Sequence, residues 1–360
     1  MRRLLIPALT VLLGTAVLAG PAHAATAAPT TADGFFQLFQ ARNDTTWSGG
    51  DQVTSLRAPN GLTYWSFGDT MVGAEDPSTG DYASGAVMIP NKILVQSGGD
   101  FTAATSGQAV PDPSPTERYW TQGMFTTGGK LYVLCQRVAN VNNTFELRGV
   151  EIARFAFNSN GTLTLEAMLS TPSTGKSLGN TVDTAQYSSD AVVSRGFVYI
   201  FGFRNVPNDP DYKPHRSFVA RVATGSVASP SAWQFYSNGS WSGTMGDATS
   251  ILDGQVSSVR LVNGQWLMAY KPWNGLGDTV YIERRSAPWA TPSATLTVAS
   301  PAGTTAGGQH YVTYSPQLHP EQTLASGKLL LSIAWNGATL ADMLADADLY
   351  KPRFYEITVP

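Results

Sequence analysis

The sequence is short of most features that would mark a disulfide-built, nucleic-acid-binding or membrane protein. Its 360 residues include a single cysteine, Cys135, so no internal disulfide can form. Cys135 lies in an apolar strand-like run and reads as a small buried residue. Only 14% of residues are charged, the formal net charge is -3, and Lys and Arg are scattered. That leaves no basic field for a polyanionic nucleic acid. Zinc-type Cys/His spacing, a phosphate-binding glycine loop and a nucleophile elbow are all missing. Asp342, Asp346 and Asp348 form a loose acidic group without EF-hand spacing, which reads as a solvated helix end. Helical periodicity is nearly absent too, apart from a short stretch over Thr339 to Ala345. After residue 24 no run is long and apolar enough to span a membrane.

What is present is an export leader and a repeat. Arg2 and Arg3, an apolar core from Leu4 to Leu18, and Ala22-His23-Ala24 form a signal peptide with cleavage expected after Ala24. Residues 25–32 read as a short flexible start and 33–360 as a single domain. Within that domain a tight turn ending in Gly is followed at once by an apolar strand, five times. The turns are Asn60-Gly61, Gly128-Gly129, Arg195-Gly196, Asn263-Gly264 and Ser326-Gly327. The glycines lie about 63 to 68 residues apart, room for one four-stranded blade per repeat. The expected fold is all-β, a five-bladed β-propeller. A ring of blades must be closed, and the run Phe35-Phe36-Gln37-Leu38-Phe39 is expected to be an N-terminal strand closing the last blade.

The repeat also locates a site. Each Gly turn joins two antiparallel strands, so the start of the first and the finish of the second share the opposite end. Those positions hold Asp51, Asp69, Glu117, Tyr119, Trp120, Arg137, Tyr187, Asp190, Arg204, Lys271, Trp273, Tyr314, His319 and Asn336. Paired carboxylates and aromatic platforms are what cleavage of a glycosidic bond requires. Asp51, Asp69, Glu117 and Asp190 are the acids best placed for it. Each has a plainer reading: Asp51 as a turn residue, Asp69 as a loop cap, Glu117 as a solvated acid and Asp190 as a brace for an inner strand. His319 reads equally as a hydrogen-bonded inner-strand residue.

At these residues a family resemblance appears. Trp47 to Asp51, Tyr64 to Thr70, Ser231 to Trp233 with Trp241, Tyr314 to Glu321 and Asp346 to Phe354 resemble secreted five-bladed propeller proteins common in actinobacteria. Some of those relatives are endo-acting D-arabinofuranosidases of cell-wall arabinan. More distant ones are arabinanases, xylosidases and fructan hydrolases. The resemblance implies that Asp51 is base or nucleophile, that Asp190 tunes its pKa and that Glu117 is the acid. The flanking motif of the usual acid is not matched, so Asp69 is the alternative donor. Trp47, Tyr119, Trp120, Tyr187, Arg204, Trp273, Tyr314, His319 and Asn336 are the expected substrate contacts. A polysaccharide or oligosaccharide is the expected partner of a monomeric, extracellular protein. No cofactor is required, and a structural calcium ion in the central channel is left open. Two other readings stay open: a non-catalytic carbohydrate-binding propeller, and a polysaccharide lyase using His319, Tyr314 and Lys271.

Overall fold

The computed structural model describes residues 27–42, 45–76, 78–141, 144–175, 177–178, 181–182, 185–205, 215–272, 277–300, 303–304, 308 and 310–360. The expected signal peptide, residues 1–24, and the expected contact Trp273 lie outside them.

The chain is nearly all β, with a propeller-like arrangement of antiparallel sheets. Among the described residues, five sheets have four or more strands and a sixth has three. The innermost strands of the five are Thr54–Arg57, Glu117–Thr127, Gln186–Ser194, Gln255–Val262 and His310–His319. Each of these packs against the next, and the fifth packs against the first, so the sheets form a closed ring. The three-stranded sheet, Gly49–Gly50, Thr70–Val72 and Val87–Ile89, carries the residues leading into Asp51 and out of Asp69.

The repeated turns have the backbone their glycines require. Gly61, Gly129, Gly196, Gly264 and Gly327 all have φ between 70° and 82°. Gly128, Arg195 and Asn263 before them are also left-handed, the paired positive φ of a type I′ hairpin turn. These turns set the register of the inner hairpins, such as Val262 opposite Gln265 and Ser194 opposite Phe197.

One expectation fails. The N-terminal segment is not a strand: Ala32–Gln40 is an α-helix, and the fifth sheet is built entirely from C-terminal strands. Thr31 caps the helix by accepting from the Gly34 amide at 3.0 Å. Phe35 and Phe39, four residues apart, share the buried face. Phe39 contacts Trp65 and Phe67 of the first sheet at 5.4 and 6.0 Å and Phe354 of the fifth at 5.5 Å. The helix therefore bridges the first and last sheets with side chains, without a strand ladder. The short helix near residue 340 is as expected, Leu340–Leu344, with Thr339 and Asp342 forming a capping box. That use of Asp342 agrees with its reading as a helix-end acid.

The apolar core lies between neighbouring sheets. One cluster joins the first and second sheets around Tyr64, Leu131 and Phe155, and Cys135 is buried in it. Another fills the second-to-third gap around Phe125, Tyr187 and Trp233.

Candidate active site

Four of the five inner hairpins carry a bulge, mid-strand or toward the end away from the Gly turn. Register shifts fall between Thr121 and Met124, Gln186 and Asp190, Val256 and Ser258, and Tyr314 and Gln317. Bulges bend a strand and re-aim its side chains. Here they turn polar groups inward. Gln136 bridges Gln122 and Ser188, with bonds of 3.3 and 2.7 Å, and Gln317 donates to the Ser257 carbonyl at 2.8 Å. Gln122 also reaches Gln52, a residue with φ of 51° that follows Asp51.

Asp51 and Asp69 meet beside this polar ring. The Asp51 amide donates to the Asp69 carbonyl at 3.1 Å, and the Gly68 amide donates to the Asp51 carbonyl at 2.9 Å. Gly68 is a close-approach position: a Cβ there would lie 2.4 Å from Asp51 Oδ1. Asp51 is only 9% exposed. The Tyr314 hydroxyl donates to Asp51 Oδ2 at 2.6 Å and accepts from the Asn336 amide at 3.0 Å. Asp69 is half-buried and accepts from the Trp120 indole N–H at 2.9 Å, while its carbonyl accepts from the Tyr350 hydroxyl at 2.9 Å.

Burial, then the charge of Asp69, pushes the Asp51 carboxyl up to about 8, against the pull of the Tyr314 and Tyr350 hydroxyls. Burial also pushes Asp69 up, to about 6, opposed by the Trp120 N–H and the charge of Arg118. Two carboxylates this close titrate as a pair. Near neutral pH the pair holds one proton, and the more deeply buried Asp51 carries it. Burial, then the Asp51 charge, raises the Tyr314 and Tyr350 hydroxyls well above the ordinary tyrosine range, so both remain donors.

The other two acids stand elsewhere. Glu117 pairs with Arg137 at 2.6 Å on the second sheet, and Arg137 also reaches Glu151 at 3.7 Å. The Tyr119 hydroxyl bonds Glu151, and its ring is buried in the core between the first and second sheets. Asp190 is fully buried in mid-channel. It is paired with Arg260 and accepts from the amides of Val259 and Ala191 at 2.6 and 2.8 Å. Arg260 also donates to the Leu318 carbonyl at 3.1 Å and reaches the Ser55 carbonyl. It thus ties the third, fourth, fifth and first sheets at the axis, and Asp190 braces an inner strand.

Three expected substrate contacts are corrected to core residues, because each is 0% exposed. Trp47 packs on Phe39 and Phe67 at 5.3 and 5.1 Å. The ring of Tyr187 lies against Trp233 and Phe235. His319 stacks on Trp65 at 4.9 Å, with Nδ1 against Ser55 and Nε2 2.7 Å from the Ser332 hydroxyl. Lys271 is equally enclosed, donating to the Thr313 carbonyl and hydroxyl at 2.7 and 2.8 Å and to the Gly277 carbonyl at 2.6 Å. Arg204 is exposed at its strand end, with its guanidinium over the Phe218 ring at 5.0 Å. Asp51, Asp69, Trp120, Tyr314 and Asn336 are the expected residues that the fold does bring together.

Sequence reasoning missed Tyr350, Gln52, Gln122 and Phe145. Phe145 is 51% exposed and meets Trp120 edge-on at 4.9 Å, so the two rings form an aromatic wall next to Asp69. Its position in the second hairpin of that sheet was legible, but the hairpin's reach toward Trp120 was not. Among the described residues no group of three or more His, Cys, Asp or Glu side chains is poised to hold a metal ion.

The sheets form a propeller-like ring, with the Asp51–Asp69 pair and an aromatic wall at one face. The chain itself belongs to the family described as a domain of unknown function, DUF5005, whose model matches residues 33–359. It is similar in structure to a protein of Bacteroides ovatus ATCC 8483 named as a candidate hydrolase, with 20% identity and a TM-score of 0.70 over 89% of this chain and 88% of that one. It is also similar to the Bombyx mori GH32 beta-fructofuranosidase BmSUC1, with 11% identity and a TM-score of 0.50 over 91% of this chain and 67% of that one. At these identities the likeness concerns the fold. No curated protein matches the sequence.

Proposed function

We propose that the protein is a secreted glycoside hydrolase built as a five-bladed propeller, and that it cleaves a furanose-rich polysaccharide, an arabinan. The observation that carries this reading is the adjacent Asp51–Asp69 pair, Asp51 buried and Asp69 half-buried, with the carboxyls raised to about 8 and about 6. Glycosidic cleavage needs a division of roles: a protonated acid for the leaving oxygen, and an ionised carboxylate that attacks the anomeric carbon or activates water. Asp51 is the proton holder. Asp69, nearer solvent and polarised by Trp120, is the ionised partner. This reverses the role that the family resemblance suggests for Asp51. Tyr314, with Asn336 behind it, fixes the Asp51 carboxyl, and Trp120 with Phe145 offers a face for a sugar ring. The sequence resemblance to arabinan-cleaving propellers, and a fold shared with an enzyme named as a fructofuranosidase, favour a furanoside. The chemistry calls on no cofactor.

A lyase is less well supported, since Lys271 and His319 are enclosed by protein partners. A binding module would not need two neighbouring carboxyls both raised by burial. The test is incubation with arabinogalactan, plant arabinan, xylan and levan, followed by analysis of released oligosaccharides. Release from the arabinans, lost in Asp51→Asn, is the expected result. Unsaturated products absorbing in the ultraviolet would show a lyase, and no release from any polymer would leave a binding module.

A further inference from the structure

The face that carries the Gly turns holds a cavity of about 270 Å³ between the third and fourth sheets. Its rim includes the Arg195-Gly196 and Asn263-Gly264 turns, at the opposite strand ends from Asp51 and Asp69. Its walls are aromatic: Trp241 meets Trp289 edge-on at 5.3 Å, and Tyr199 meets Trp266 edge-on at 5.4 Å. The Arg221 guanidinium lies 4.2 Å from the Trp241 ring centroid, and its Nε donates to Gln234 at 2.9 Å. Arg195 adds a second cation from the exposed turn.

No carboxylate lines this cavity. Among the described residues neither Arg195 nor Arg221 takes part in an ion pair. Arg221 covers one face of Trp241 and Tyr236 stacks on one face of Trp289 at 4.9 Å, so a sugar ring would meet the remaining indole surface, and a guanidinium is shaped to grip a carboxylate through two parallel bonds. A neutral sugar would use the rings and leave both cations without a counter-charge. A ringless polyanion would use the arginines and leave the indoles idle. Small-molecule sites usually start at about 300 Å³, so the space suits a single ring and not a length of chain.

We propose that this cavity binds a uronate residue of an acidic polysaccharide, on the face opposite the carboxylate pair. The proposal stands apart from the hydrolase reading. The test is affinity electrophoresis of the full chain in native gels containing polygalacturonate or dextran sulfate. Polygalacturonate should retard the protein. Arg195→Asn, a change that the left-handed backbone at Arg195 accommodates, should weaken that retardation about tenfold, as the loss of one charge-assisted hydrogen bond would. Trp289→Ala should weaken it too. Absence of retardation by polygalacturonate, equal retardation by dextran sulfate, or undiminished retardation of Arg195→Asn would each overturn the proposal.

Discussion

Replacing Asp51 by Asn should stabilise the protein while removing its activity, and the gain should grow with pH. Burial and the neighbouring Asp69 raise the Asp51 carboxyl from 3.8 to about 8. The unfolded chain releases that proton near pH 4, whereas the folded protein keeps it until about pH 8. Folding therefore takes up a proton across this window. Stability is greatest below the lower value and falls as pH rises toward the upper one. At about 1.4 kcal/mol per pH unit, the loss traceable to Asp51 is at most about 4 kcal/mol by pH 7. Water entry and local relaxation reduce such limits, so a gain of about 1 to 3 kcal/mol in Asp51→Asn is expected there. In a chain of this size that raises Tm by about 1.5 to 4 °C. Asn keeps the shape, and its Oδ1 can still accept from Tyr314. The assay is urea unfolding of both proteins at about pH 5, 6, 7 and 8. The variant's advantage should be small at the acid end and increase steadily. An advantage that is constant with pH, or that shrinks as pH rises, would refute the protonated state assigned to Asp51.

Trp120→Phe withdraws the N–H that favours ionised Asp69. The acid limb of the kcat/KM profile should then move to higher pH by about one unit, and an unmoved limb would separate Trp120 from Asp69. Arg260→Met leaves Asp190 buried without its partner and should cost about 3 to 5 kcal/mol in urea unfolding. A neutral effect would mean the axial pair does not hold the sheets together. Phe39→Ala opens a hole between the first and last sheets and should cost about 3 to 5 kcal/mol. A cost below about 1 kcal/mol, the scale of a surface change, would show that the helix does not seal the ring.

Much of the fold was legible because its strongest constraint is local. A turn with positive φ at Gly61, Gly129, Gly196, Gly264 and Gly327 needs glycine there whatever the rest of the chain does. The repeat also pointed to residues that share one end of the strands, and Asp51, Asp69, Trp120, Tyr314 and Asn336 do converge there. What could not be read depended on distant partners. Phe35 to Phe39 is as aromatic as any strand here, and it becomes a helix because Thr31 caps it and Trp65 and Phe354 bury one side. Asp190 reads as an active-face acid until Arg260, 70 residues later, encloses it. Trp47 and His319 are buried by rings from elsewhere in the chain, Phe67 and Trp65. Tyr350 reaches Asp69 from 281 residues away, a separation no local pattern reports.

The central claim is that Asp51 and Asp69 together cleave a glycosidic bond. It is tested most directly by reducing-end release from arabinan, measured side by side for the unaltered protein, Asp51→Asn and Asp69→Asn, with folding checked by urea unfolding. The account predicts release by the unaltered protein and a loss of at least about a thousandfold in both folded variants. Full activity in either variant would contradict it.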